Sequence, residues 1–289
     1  MNRIIVVLEA DLHAGHKLGL CDPETVLRDE NNELYRPAQT KTQEYLWALR
    51  NEHIDQVADL ADGCPVLICP LGDLTHGTKY PLHLCAQLVA DQVMIAVNNE
   101  QVWYKHPRIN LVGMRIVTGT EAHTLGGGST EVLVTRQLQQ LFPDVNTQVL
   151  YHLKLVLEKQ NGESIDMAHH GPFPGSRNWL KGSTPAYYLR SAMMDELDDG
   201  YDPPRVYARA HYHTYCPATV HVQRGGKDYV SDLIILPSYT GIDDHGRRAT
   251  RSQYKIDHGM VALEFENGLR ATHPFWKELA VRTTEVFDG

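Results

Sequence analysis

Ile4-Ile5-Val6-Val7-Leu8 is apolar at every position, and that run constrains the fold more than any other feature of the chain. A strand exposed on one face alternates apolar and polar side chains, so an unbroken run marks a strand covered on both faces. Pro65-Val66-Leu67-Ile68-Cys69 is a second such run. Between them, from about Gln39 to Ala61, Leu46, Leu49, Ile54, Val57 and Ala61 recur at helical spacing. Strand, helix, strand in this order predicts an α/β arrangement with material packed on both faces of a sheet.

The alternation continues. Pro81 opens a helix, where its missing N–H is no loss, with Leu84, Leu88, Val89, Val93 and Val97 on the apolar face. Ile109–Thr118 reads as a strand ending at Gly119, and Ser129 or Thr130, after Gly126-Gly127-Gly128, caps a helix to about Leu141. Gln148–Glu158 and Ser164–Ala168 read as strands, with a turn at Asn161-Gly162, and Ala186–Leu197 as a helix. Arg205–Ala208, Ala218–Gln223, Tyr229–Leu236 and Met260–Phe265 add four short strands, while polar Asp22–Arg36 reads as a long loop. No repeat or low-complexity linker divides the chain. The expectation is one α/β domain over residues 1–289, two sheets forming a sandwich with helices outside.

Composition narrows the function. Apolar residues at 42% and charged residues at 22% exclude disorder, collagen and coiled coil. No apolar run approaches a bilayer span, and the first strand runs straight into Glu9 and Asp11 instead of forming a signal-peptide core. A cytoplasmic, non-membrane protein is expected. The five cysteines (Cys21, Cys64, Cys69, Cys85, Cys216) include no CxxC pair, which argues against a disulfide framework and a thiolate zinc site, and Cys69 reads as inert packing. Thirty-six acids against 27 bases leave a charge of −9, so no global field draws the chain to nucleic acid. Sixteen histidines direct attention to metal ligation.

The informative residues share one address, just past the end of an apolar strand, which is where α/β sheets bind ligands. Asp11-Leu12-His13 places a carboxylate and an imidazole two residues apart, on one side of an extended segment. Gly72-Asp73-Leu74-Thr75-His76-Gly77 follows the second strand, with Gly72 allowing a tight exit and Asp73 offering two oxygens. His169-His170-Gly171 follows a third, and strand parity lets only one of that pair face a site, leaving His170 structural. His211-Tyr212-His213 again sets two imidazoles on one side. A fifth end carries Gly119-Thr120-Glu121-Ala122-His123. Singly, each reads more readily as a solvated polar pair, a capping aspartate or a packed histidine than as part of a site.

Taken in order, these motifs resemble the calcineurin-like metallophosphoesterase superfamily, closest to its phage- or prophage-encoded members, from about Asp11 to His213. The resemblance implies a four-layered αββα sandwich of two mixed sheets, two divalent metal ions and hydrolysis of a phosphate ester. It implies that Asp11, His13 and His213 hold one metal, that His169 and His211 belong to the second, and that Asp73 bridges; His211 and His213 are interchangeable on this basis. The family usually carries Gly-Asn-His followed by an acid at the fifth strand end, and here the asparagine is missing. His123 then takes the histidine's place beside the leaving group, or replaces the lost ligand, with Glu121 a further candidate. Carboxylate and imidazole without thiolate suit Mn²⁺, Fe²⁺/³⁺ or Zn²⁺. Two such ions can activate water and stabilise both oxygens of an in-line displacement.

Beyond the motifs, Arg177, Trp179 and Lys181 follow the His169 segment and read as contacts for a phosphate and a base, or as a solvated loop with one packed indole. The Gly126–Gly128 run reads as an anion nest or a plain turn, and Arg247, Arg248 and Arg251 as a basic patch or a charged loop. The expected substrate is a phosphodiester of nucleotide or single-stranded nucleic-acid type. The alternatives are a phosphomonoesterase, a metal-dependent hydrolase of another bond such as an amide, or a catalytically impaired metal-binding scaffold of the same fold.

Overall fold

The computed structural model describes residues 3–79, 81–126, 128–175, 178–242 and 254–287. From β1 (Arg3–Glu9) the chain passes through a small hairpin, β2 (Leu27–Arg28) and β3 (Leu34–Tyr35), to α1 (Lys41–Ala61), β4 (Pro65–Pro70), α2 (Val89–Lys105) and β5 (Asn110–Val117). A one-turn helix α3 (Glu121–Thr124), α4 (Ser129–Leu141), β6 (Asn146–Leu150), β7 (Leu153–Leu157) and β8 (Glu163–Met167) follow. The remainder is α5 (Ser183–Asp198), β9 (Val206–Arg209), β10 (Cys216–Arg224), β11 (Lys227–Ile235), β12 (Lys255–Glu266) and β13 (Leu269–Ala280). Among the described residues no helix is long and apolar enough to cross a membrane.

Two mixed sheets result. The first runs β13-β12-β1-β4-β5-β6, and the second β10-β11-β9-β8-β7. Strand parity divides the apolar runs between two cores. Ile5, Val7, Val66 and Ile68 pack with Leu46, Ile54, Val93 and Val134 from α1, α2 and α4. Their neighbours Val6, Leu8, Leu67 and Cys69 pack instead with Ile165, Met167, Val206 and Ala208 of the second sheet. Leu189 and Met193 of α5 cover the outer face of that sheet at Tyr207 and Leu233. Helices, sheet, sheet, helix is thus the layer order, and the two-faced burial of β1 and β4 follows from it. Cys69 is buried, and burial pushes its thiol up to about 12.

Several boundaries differ from the sequence expectation. Pro81 opens only a single turn (Pro81–His83), and α2 begins at Val89, so Leu84 lies outside the helix. The intervening segment is claimed by the chain after β1: His16 bridges Leu84, and Cys85 N–H donates to the Gly15 carbonyl at 2.8 Å. Neither Ser129 nor Thr130 caps α4; Gly128 stands at that position, and the Ser129 hydroxyl turns back to the Thr124 carbonyl at 2.7 Å. The single strand expected over Gln148–Glu158 is two, β6 in the first sheet and β7 in the second. Alternation runs unbroken across residues 151–152, so nothing in the pattern marks the crossing. β13 lies beyond the four strands expected in this half; it accommodates Pro274 because it is an edge strand, where a missing N–H is tolerated.

Glu9, at the end of β1, is fully buried and is held by Arg50 of α1 through two contacts of 2.9 Å, with Trp103 Nε1 donating at 2.7 Å. Arg50 also reaches Glu100 at 3.4 Å. A buried carboxylate needs such a partner. The network ties α1 and α2 to the strand that carries Asp11.

Candidate metal centre

The C-terminal ends of β1, β4 and β5 meet those of β8 and β9, and backbone bonds continue past the strands to join the motifs in pairs. Asp11 N–H donates to the Gly72 carbonyl at 3.1 Å, and His13 N–H to the Asp73 carbonyl at 3.0 Å. In the second sheet Ala210 N–H donates to the His169 carbonyl at 2.8 Å. The two sheets are then joined at the site itself, where the His211 N–H donates to Asp11 Oδ2 at 3.1 Å.

The same-side placement of the paired ligands does not arise from extended backbone. Asp11 (φ 57°), His13 (48°), Asp73 (52°), His211 (75°) and His213 (50°) all lie in the left-handed region, as half of the ten such non-glycine residues described. Aspartate and histidine tolerate that region better than most side chains, but it still carries strain. Tight left-handed kinks, not strands, turn these groups inward.

The inward groups converge. Asp11 Oδ1 lies 3.3 Å from His213 Nε2 and 3.9 Å from both His13 Nε2 and His169 Nε2. Asp73 Oδ2 lies 3.1 Å from His169 Nε2. Among the described residues, ligand atoms within 4.8 Å of one another form four groups: Asp11-His13-His213, Asp11-Asp73-His169, His169-His170-His211 and His13-His76-His123. Asp11 is shared by two of these groups, and Asp73, expected from the resemblance to bridge, belongs to one. His170 is exposed but takes part in a group, whereas Glu121 is exposed and belongs to none.

Electrostatics favour a bound cation here. Burial alone would raise the Asp11 carboxyl, but His213 and then His169 outweigh it and hold it below its usual value. Burial is likewise outweighed at Asp73, which His169, His123 and the Thr120 N–H hold well below the carboxylate range. His169 is pushed up to about 9, because the attraction of Asp73 overcomes its burial. Its proton compensates the two carboxylates, a role that a divalent ion would take over. Burial, with neighbouring imidazoles, drives His13 well below its usual value and His211 down to about 4, leaving neutral nitrogens. Asp11 Oδ1 and His13 Nε2 are buried without a hydrogen-bond partner, and His169 Nδ1 donates to the Leu71 carbonyl at 2.6 Å, leaving Nε2 inward. Acceptors that lack donors, on a carboxylate-imidazole set, fit a divalent metal ion.

Three residues were missed at the sequence level. Thr120 is one: its hydroxyl lies 3.1 Å from Asp73 Oδ2, 3.1 Å from His169 Nε2 and 3.2 Å from His211 Nδ1, while its N–H donates to Asp73 Oδ1 at 2.6 Å. The approach depends on Gly119, since a Cβ there would stand 2.1 Å from Asp73 Oδ1. His76 is the second, its Nδ1 lying 3.3 Å from His13 Nδ1. It sits in a motif that the sequence flagged for its aspartate. Glu131, buried in the first turn of α4, is the third, and only its place behind the glycine run hinted at it.

Burial, with the Asp73 charge adding to it, pushes the Glu131 carboxyl up to about 7, well above the usual carboxylate range. A carboxyl whose pKa is raised in the folded state loses stability as pH rises between the unfolded and folded values. Metal-free protein is therefore expected to lose about 3 kcal/mol from this group between pH 4.5 and 7. Urea denaturation of wild type and Glu131→Gln side by side should show the variant losing about that much less stability across the window.

Trp179 is 73% exposed on a turn (Asn178–Leu180), and Lys181 Nζ lies 3.5 Å from Asp257. Arg177, Gly127, Arg247, Arg248 and Arg251 lie outside the described residues. No protein-family model and no curated protein matches this chain.

Proposed function

We propose that the protein is a metal-dependent phosphoesterase of the calcineurin-like metallophosphoesterase type, cytoplasmic, and acting on a nucleotide or nucleic-acid phosphodiester. The observation that carries this reading is the meeting of buried Asp11, His13, Asp73 and His169 with half-buried His211 and His213, from four strand ends. The motif order and a layer order compatible with an αββα sandwich support it. Two divalent ions held there (Mn²⁺, Fe or Zn²⁺) would supply Lewis-acid activation of water and charge stabilisation at phosphorus.

The chain's own residues do the rest. Asp11, His13 and His213 would hold one ion, and His169 and His211 the other. Asp73 is the bridge by the resemblance, and Asp11 is the carboxylate with two groups around it. His123 would deliver a proton to the leaving oxygen. Its Nδ1 is engaged by the His76 carbonyl at 2.6 Å, so Nε2 is the atom left for that transfer. Arg177 and Trp179 are the proposed substrate contacts, where a guanidinium and an indole suit phosphate and base.

Thr120 favours a second reading. Its hydroxyl lies among Asp73, His169 and His211 at the motif position where the family carries an asparagine ligand. A neutral hydroxyl is a poorer metal donor than an amide oxygen, which suits a protein that binds metal with little turnover. Assay of Mn²⁺-loaded protein separates the readings, using bis-p-nitrophenyl phosphate, p-nitrophenyl phosphate, mono-, di- and cyclic nucleotides and single-stranded DNA. Chelator-sensitive diester cleavage is expected. Reaction with monoesters alone would make it a phosphomonoesterase, and metal binding without turnover would make it a scaffold.

A further inference from the structure

His76, in the His13-His76-His123 group, is not needed by the phosphoesterase reading, and the group is built as a unit. His13 Nδ1 and His76 Nδ1 stand 3.3 Å apart. Zinc–nitrogen bonds of about 2.0–2.1 Å at tetrahedral angles place neighbouring ligand nitrogens about 3.3 Å apart. The His13 and His123 rings are 4.6 Å apart between centroids, and those of His76 and His123 are 5.0 Å apart. His123 Nδ1–H donates to the His76 carbonyl, which fixes the tautomer that leaves Nε2 as a lone pair.

The backbone holds these rings together. Gly77, at φ 75°, packs so closely on the next segment that a Cβ would stand 2.6 Å from the Ala122 carbonyl oxygen. Gln92 clamps Gly77 through both its N–H (2.8 Å) and its carbonyl (3.0 Å). The Thr75 hydroxyl donates to the His123 carbonyl at 2.9 Å. His16 packs on His76 with centroids 4.3 Å apart, fixing the ring from its far side.

We propose that His13, His76 and His123 form a separate, all-imidazole metal site, which takes a borderline ion such as Zn²⁺ and competes with the Asp11 group for His13. The competition follows from His13 having two nitrogens but, as a neutral imidazole, a single lone pair: Nε2 faces Asp11 and Nδ1 faces His76. Three imidazoles without a carboxylate favour Zn²⁺, Cu²⁺ or Ni²⁺ over Mn²⁺ or Mg²⁺. Excess zinc would thus draw His13 away from the carboxylates, leaving Asp11 and His213 to hold their own ion more weakly, so that both sites are counted.

Equilibrium dialysis tests this without any turnover measurement, so the outcome stands apart from the hydrolase reading. Zinc bound per chain is expected to fall by one in His76→Ala and in His123→Ala, with Mn²⁺ content retained as the control for folding. In His170→Ala, which alters the other imidazole group, the zinc count should be unchanged. Calorimetry should show the affinity of the lost site weakened about a hundredfold or more. An equal zinc count in wild type and His123→Ala would overturn the proposal, as would a loss confined to His170→Ala. Half-buried His123 decides alone if His76→Ala does not fold.

Discussion

Asp73→Asn is expected to lower Mn²⁺-dependent turnover about a thousandfold, or about 4 kcal/mol of transition-state stabilisation. The substitution keeps the shape of the side chain and the oxygen that accepts from the Thr120 N–H. It removes the charge, and can set an amide nitrogen against His169 Nε2 in place of the oxygen 3.1 Å away. Steady-state kinetics and elemental analysis on one preparation would check both consequences, since metal content should fall with activity. Near-normal turnover would take Asp73 out of the centre. Asp11→Asn belongs beside it: if that variant loses more, the shared carboxylate is Asp11, as its place in two ligand groups suggests.

His123→Ala is expected to slow hydrolysis of an ester with a poor leaving group by about 10²–10⁴-fold, the usual worth of general acid catalysis. A nitrophenyl ester, whose leaving oxygen needs almost no proton, should suffer far less. Mn²⁺ content should stay unchanged, because the carboxylate groups around Asp11 and Asp73 do not include His123. Equal losses on both substrates together with loss of Mn²⁺ would instead make His123 a ligand of the catalytic ions. Little change in either assay would leave it a packing residue.

The layered architecture was legible because β1 and β4 carry apolar side chains at both parities, and burial on both faces is the only arrangement that hides them. The strand-end motifs were legible for a related reason: Asp11 and Asp73 closely follow such runs, and His169 and His211 closely follow shorter strands. What escaped was whatever depends on tertiary approach. Thr120 looks like any loop threonine until Gly119 lets it close on Asp73. Arg50 reads as one cation in a helix until the chain fold brings Glu9 beneath it. The passage from β6 to β7 changes sheets while the alternation continues, so periodicity had nothing to report. The local geometry of the Asp-x-His and His-x-His pairs was read as extended, and they are kinked, because the side chains converge either way.

Those kinks bear on how this protein would respond to selection. Asp11, His13, Asp73, His211 and His213 each occupy a backbone well that costs a non-glycine residue about 1 kcal/mol. Glycine at any of them would relieve that strain. A search for thermotolerant variants that ignored metal content would therefore be drawn to these five positions and would harvest sturdier, inert proteins. Hardening the scaffold without disarming it means holding those five residues fixed and seeking gains elsewhere in the chain.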